Sequence, residues 1–407
     1  MDATASTRRT VYLPCMSDHA FTVAAAMRHF GVRAEVLPPP TQESMATGLA
    51  LCRGRECLPC FLCVGDLLKK CRASDFDASK AVFFMPTGTG PCRFGQYNVL
   101  QKAILAQEGY PEAEIVSPST ADSYAMFGAD PVGLRKLAWQ AIVSVDLLTK
   151  VLHEHRPYEM ANGSADEVYH ESLDDLVEAV RAGGGDAVVD ALWRASRRFG
   201  ALETDRSETR PLVAVVGELY LMLNAQGNLG IVRAVEGAGG EVLQGTFSDW
   251  LYYVDWRRKD LSLRFHEYKN YIGGWISDAY QRWIERRFTN PLRAVLRHPA
   301  EAPVAEAVKL LEPCFEPVLG TEAVLTMARV LDLARHGLAG VINVLPFSCM
   351  PGTVVSCMAP RLRQQMNGVP WLDVAFDGQE ETNLHTRLEA FMHQAIQYDR
   401  RVLRAAS

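Results

Sequence analysis

The chain has 407 residues, 42 Lys and Arg against 48 Asp and Glu, and a formal net charge of −6. That length suggests about two to three domains of ~150 residues, and 48% hydrophobic with 22% charged residues excludes a mainly disordered chain. The mild acidity argues against nucleic acid or an anionic membrane as the main partner, and no apolar run approaches the ~18 residues of a spanning helix. The N-terminus is basic but has no apolar h-region, so the expected location is cytoplasmic.

In chain order, residues 10–14 (TVYLP) read as a strand, followed by Cys15 and a helical pattern from Ser17 or Asp18 to Phe30 that Gly31 stops. Residues 33–37 read as the next strand, closed by Pro38, Pro39 and Pro40. A helix is expected over 57–71 and a β-rich run over 81–85, then the turn-forming TGTGPC and a helix to Gln107. Residues 120–201 read as mainly helical and polar, with the Gly183–Gly184–Gly185 loop inside them. Another strand spans 212–216, with Gly217 and Glu218 just beyond it, then a helix and the strand 241–244. The stretch 256–297, rich in Arg, Lys and aromatics, reads as a helical insertion with a solvated face. The last unit is strand 340–347, helix 350–365, strand 371–376 and helix 381–397.

Alternation of this kind implies parallel sheets with right-handed crossovers. The expected organisation is an N-terminal α/β domain over 1–120, a mainly helical segment over 121–205, and a second α/β unit over 206–255. A helical insertion over 256–320 and a C-terminal α/β unit over 321–407 complete it.

The cysteines carry the functional signal. Ten Cys are too few for a disulfide scaffold in a chain this long, and in a reducing compartment clustered Cys point to metal binding or catalysis. Seven lie between Cys15 and Cys92, and none between Cys92 and Cys314. Cys15, Cys92 and Cys349 each follow an expected strand, at the carboxyl edge where open α/β sheets bind ligands. There helix N-termini offer N–H groups and positive dipole ends. Cys57, Cys60 and Cys63 share a spacing of three. Thiolates drawn from such turns bind iron–sulfur clusters. Cys52, Cys63, Cys71, Cys314 and Cys357 read instead as small buried hydrophobes. A zinc site and a Cys57–Cys60 redox pair of thioredoxin type are the competing chemistries.

Polar residues near those turns are candidates for catalysis: Glu56 before Cys57, Arg93 after Cys92, and Glu218 beyond its strand. Arg93 suits an anionic group. Ser17, Asp18 and His19 read as a helix cap with an early acidic residue. No dinucleotide-binding Gly-x-Gly-x-x-Gly, Walker loop or Gly-x-Ser-x-Gly elbow is present.

Five stretches together resemble the 2-hydroxyacyl-CoA dehydratase superfamily, and within it the branch named for association with CoA-substrate-specific activases. They are Gly54–Pro59 (GRECLP), Gly90–Tyr97 (GPCRFGQY), Arg156–Glu159 (RPYE), Val216–Tyr220 (VGELY) and Pro346–Gly352 (PFSCMPG). The resemblance runs from about Tyr12 to Phe391. It implies stacked Rossmann-like domains with a cluster site between them. It implies a [4Fe-4S] cluster held through Cys57, Cys92 and Cys349 with one iron open, and an ATP-hydrolysing, actin-like activator iron–sulfur protein that injects a low-potential electron. It also implies a homodimer or a heterodimer with a related subunit. A related branch holds a double-cubane [8Fe-9S] cluster, for which Cys15 and Cys60 are the first extra ligands. The Cys-rich run from Cys57 to Cys63 and the lack of a CoA-binding signature depart from the dehydratase pattern. The reaction expected from the resemblance is an activated low-potential reduction or reductive dehydration. The alternatives are a non-catalytic cluster scaffold or electron-transfer subunit, or a double-cubane cluster reductase of small molecules.

Overall fold

Short apolar runs become strands and the amphipathic stretches between them become helices, giving an α/β protein with two four-stranded parallel sheets. The structure, a computed structural model, describes residues 9–88, 90–118, 130–298, 301–379 and 383–404. The helical start expected at 120–129 and the closing-helix start expected at Glu381 lie outside those residues. The chain divides into two compact units, Met1–Val145 with Asp174–Val188, and Asp146–Leu173 with Val189–Ser407.

The first unit contains β1 (Thr10–Leu13), α1 (His19–His29), β2 (Arg33–Val36), α2 (Gln42–Leu51), α3 (Leu58–Cys71), β3 (Ala81–Phe84), α4 (Tyr97–Gln107) and β4 (Glu114–Val116). Its strand order is β2-β1-β3-β4. α2 and β4 fall where no element is expected. α2 is short and weakly patterned, and it is set by a local cap in which Thr41 and Ser44 exchange hydrogen bonds. β4 is a three-residue edge strand held by its pairing with β3.

α3 is buried nearly all round, from Leu58 to Cys71, as a helix does when it packs on more than one side. It crosses α2 at two glycines. A Cβ on Gly48 would stand 2.0 Å from Phe61 O, and one on Gly65 would stand 1.8 Å from Ser44 O. Only Gly at both positions lets the backbones approach this closely.

Three helices follow, α5 (Pro131–His155), α6 (Ser164–Arg181) and α7 (Asp186–Gly200). The second unit then builds β5 (Leu212–Gly217), α8 (Leu219–Leu223), α9 (Ile231–Gly237), β6 (Glu241–Gln244), α10 (Phe247–Arg264), α11 (Tyr268–Leu292), α12 (Val304–Lys309), α13 (Glu322–Ala334), β7 (Gly340–Pro346), α14 (Met350–Gln365), β8 (Trp371–Phe376) and α15 (Leu384–Tyr398). The stretches 206–255 and 321–407 each supply two strands to one sheet, in the order β6-β5-β7-β8.

β7 is buried along its whole length, as the centre of a parallel sheet covered on both faces requires. The expected single helix after Glu218 is two, α8 and α9. Asn224 and Asn228 break it by bonding backbone groups at Gly227, Leu221 and Ile231. The helical insertion is the pair α10 and α11, tied by Tyr252 to Glu285 and Gln281 to Asp255. No described helix is long and apolar enough to cross a membrane.

Candidate functional site

Both sheets share one topology: the first strand is flanked by the second on one side and the third on the other. The strand order therefore reverses between β1 and β3, and again between β5 and β7. Such a switch point opens a crevice at the carboxyl ends of the strands. In the first unit the chain leaves those ends at Cys15 and at the loop holding Cys92. In the second it leaves them at Glu218 and at the turn holding Cys349.

Cys57, Cys92 and Cys349 have the same backbone setting. Each is the residue just before a helix: Cys57 before α3, Cys92 before the 3₁₀ turn Arg93–Gln96 that runs into α4, and Cys349 before α14. All three are extended, with φ/ψ of −91°/159°, −72°/138° and −67°/122°. A side chain there stands at the positive end of a helix, where an anionic ligand is favoured. Pro59 and Pro351 lie in the first turns of α3 and α14, where a missing N–H costs nothing. Ser348 takes φ +60°, a strained turn that aims the next residue, Cys349.

Two of the motif loops meet in the first unit. Arg93 Nη1 donates to Arg55 O at 2.5 Å, and Tyr97 Oη lies 2.5 Å from Cys57 Sγ, within hydrogen-bond reach. Arg93 thus braces the loop before Cys57. Cys57 is buried and Cys92 is exposed. Glu56 accepts from the Arg55 N–H, a local turn bond.

The remaining thiols of this unit are packed. Cys15 is 6% exposed and Cys60 fully buried. Burial, with Asp18 and Asp66 nearby, pushes the Cys15 thiol up to about 12. The contact with Cys52, followed by burial, pushes the Cys60 thiol up. Among the described residues no group of three or more His, Cys, Asp or Glu is gathered closely enough to hold a metal ion.

In the second unit a small, water-sized pocket sits at the switch point. Gly217, Glu218, Glu322, Thr326, Asn343 and Cys349 are among its lining residues. Gly217 has φ +131°, and a Cβ there would stand 2.0 Å from Val344 O, so only Gly can end β5 against β7 and start this pocket.

Glu218 caps α8, accepting from Tyr220 N at 3.2 Å and Leu221 N at 2.9 Å. Glu322, the first residue of α13, sends Oε1 to Leu219 N at 3.0 Å. Each carboxyl lines the pocket, and both residues are half-buried. Burial pushes Glu218 up to about 7, and burial together with the Glu218 charge pushes Glu322 up to about 8.

Sequence reasoning singles out Glu218 and Cys349 but not Glu322, Thr326 or Asn343. Glu322 stands 103 positions from its partner Leu219, so only the fold brings them together. The Arg-Pro-Tyr-Glu stretch is structural: Arg156 forks onto Glu236 with two 2.8 Å bonds, and Tyr158 donates to Glu241. Glu159 accepts from Gly163 N and Ala165 N at the start of α6.

Comparison of the chain with known protein families, and with curated proteins, finds no match.

Proposed function

We propose that this chain is an iron–sulfur protein of the 2-hydroxyacyl-CoA dehydratase type, and that it carries out reduction or reductive dehydration with an ATP-hydrolysing activator as electron donor. The observation that carries the reading is the common setting of Cys57, Cys92 and Cys349. Each stands in a loop of the resembling motifs, extended, one residue before a helix. The donor set is all thiolate, which suits an iron–sulfur cluster better than a hard cation. When bound, a cluster with an open iron supplies a Lewis acid and a low-potential electron.

The chain's own residues supply the rest. Tyr97 places a phenol O–H beside Cys57 sulfur, a contact that tunes a thiolate ligand. Arg93 holds the Cys57 and Cys92 loops together through Arg55 O. Glu218 and Glu322 place two carboxyls in the pocket that Cys349 lines. The buried Cys15 and Cys60 are the thiols a larger double-cubane cluster would recruit.

The test is iron and acid-labile sulfide after anaerobic purification. A [4Fe-4S] protein contains about four of each per chain, and each of Cys57→Ser, Cys92→Ser and Cys349→Ser loses them. About eight iron per chain favours the double-cubane form. Iron unaffected by all three changes contradicts the reading.

A further inference from the structure

The helical insertion, a hairpin of α10 and α11, shows apolar side chains to solvent at its free end. Eight of the eighteen large apolar side chains exposed among the described residues lie between Leu261 and Trp283. Single exposed apolar residues are ordinary on a protein surface, whereas a gathered patch marks a contact.

α11 carries two seams. One is buried against α10: Gly274, Asp278 and Gln281 meet Lys259 and Asp255 of that helix, and Ile284 and Phe288 continue the line. The other faces solvent. Lys269, Ile272, Ile276, Ala279, Trp283 and Arg286 recur at alternating steps of three and four, and all are exposed. Ile272, Ile276 and Trp283 are 59%, 68% and 54% exposed. That is the spacing by which one helix packs along another. A helix that is apolar on both faces is built to lie between two neighbours, and α10 covers only one of the seams.

Charge and area decide what covers the other. The hairpin is rich in Arg and Lys, yet Arg257, Arg258, Lys259, Arg264 and Arg282 pair with Asp255, Asp260 and Asp278 inside it. Little free positive charge is left to attract an anionic lipid surface or a strongly acidic protein. An apolar, aromatic, charge-poor core is instead the composition of a contact between identical chains. At about 100 Å² for each half-exposed side chain, the eight supply roughly 800 Å² per copy, the size of a standard interface.

The exposed seam also complements itself, as a two-fold contact requires. Laid antiparallel on its own copy, about an axis between Ile276 and Ala279, it sets Ile276 against Ala279 and Ile272 against Trp283. Large then meets small, aliphatic meets aromatic, and Lys269 and Arg286 fall at the rim. Antiparallel helices also bring opposite dipole ends side by side.

We propose that the exposed seam of α11, with the apolar end of the hairpin beside it, is the contact through which two copies of this chain form an antiparallel two-fold dimer.

The experiment is light scattering on the full-length protein as it leaves a sizing column, over a dilution series. Wild type is expected at twice the single-chain mass of 45.1 kDa. Ile276→Asp puts a carboxylate at the centre of both seams and is expected at the single-chain mass. Circular dichroism checks its fold, and Ile272→Glu takes its place if it does not fold. Ile276→Cys sets a thiol beside the two-fold axis, so a short bismaleimide is expected to join two such chains to a degree that wild type does not show. Wild type at the single-chain mass throughout overturns the proposal. So does a two-chain mass in Ile276→Asp, or Ile276→Cys joined no more than wild type. Wild type that is single in solution and sediments with phosphatidylserine vesicles overturns it in favour of a lipid surface. The readout needs no iron, so it stands or falls apart from the cluster reading.

Discussion

Glu218 and Glu322 line one small pocket, and the direction of their shifts sets a pH dependence. Burial raises both above the ordinary Glu value, to about 7 and about 8. Raised carboxyls bind protons in the native state that the unfolded chain has released. Their contribution is therefore fully present below the unfolded Glu range and is lost as pH rises through about 7 to 8. The other groups around the pair are Cys349 on the pocket wall, Tyr253, which donates to Thr321 O beside Glu322, and Asp373 behind Asn343. Glu322→Gln keeps the shape and removes the like charge. Its stability relative to wild type should climb between pH 5 and pH 8, as measured by urea unfolding at each pH. A constant difference across that range would mean that Glu322 is not raised above its unfolded value. A second expectation concerns Tyr97. Its phenol beside Cys57 sulfur would stabilise the more negative, reduced state of a cluster held there. Tyr97→Phe should therefore lower the reduction potential in a dye-mediated titration, with iron content unchanged.

At the scale of elements, the tightest restraint is the crossing of α2 and α3, which sets the helix that follows Cys57. Gly65→Ala would place a Cβ against Ser44 O. Overpacking of this kind should cost about 3 kcal/mol, read as a fall in the thermal midpoint. A neutral effect would mean that the two helices can separate at no cost. The buried fork from Arg156 to Glu236 gives a parallel case. Arg156→Met leaves that carboxylate unpaired in the interior and should cost about 3–5 kcal/mol in chemical unfolding.

Most elements are legible in the sequence because their signals are local: apolar runs for β1, β5 and β7, and Gly31 ending α1. The exceptions are elements whose cause is not local. β4 exists through its pairing with β3. α2 depends on a Thr41–Ser44 cap behind three prolines. The break between α8 and α9 comes from asparagine side chains turned back onto the backbone.

For the whole molecule, the two units repeat one strand order with unrelated local sequences. The third strand of each sheet leads to a motif cysteine, Cys92 in one and Cys349 in the other. The first strand leads to Cys15 in one and to Glu218 in the other. That correspondence explains why cysteine position was readable from the sequence: strand, turn and thiol are adjacent in the chain. The Glu322 and Asn343 part of the pocket was not readable, because these residues meet Glu218 only through the sheet and α13.

The most direct test of the central claim is the iron and acid-labile sulfide content of anaerobically purified protein, wild type beside Cys57→Ser, Cys92→Ser and Cys349→Ser. About four iron and four sulfide per chain, lost in each variant while a Cys314→Ser control keeps them, is the predicted result. Wild-type protein without iron, or iron retained in all three variants, would contradict it.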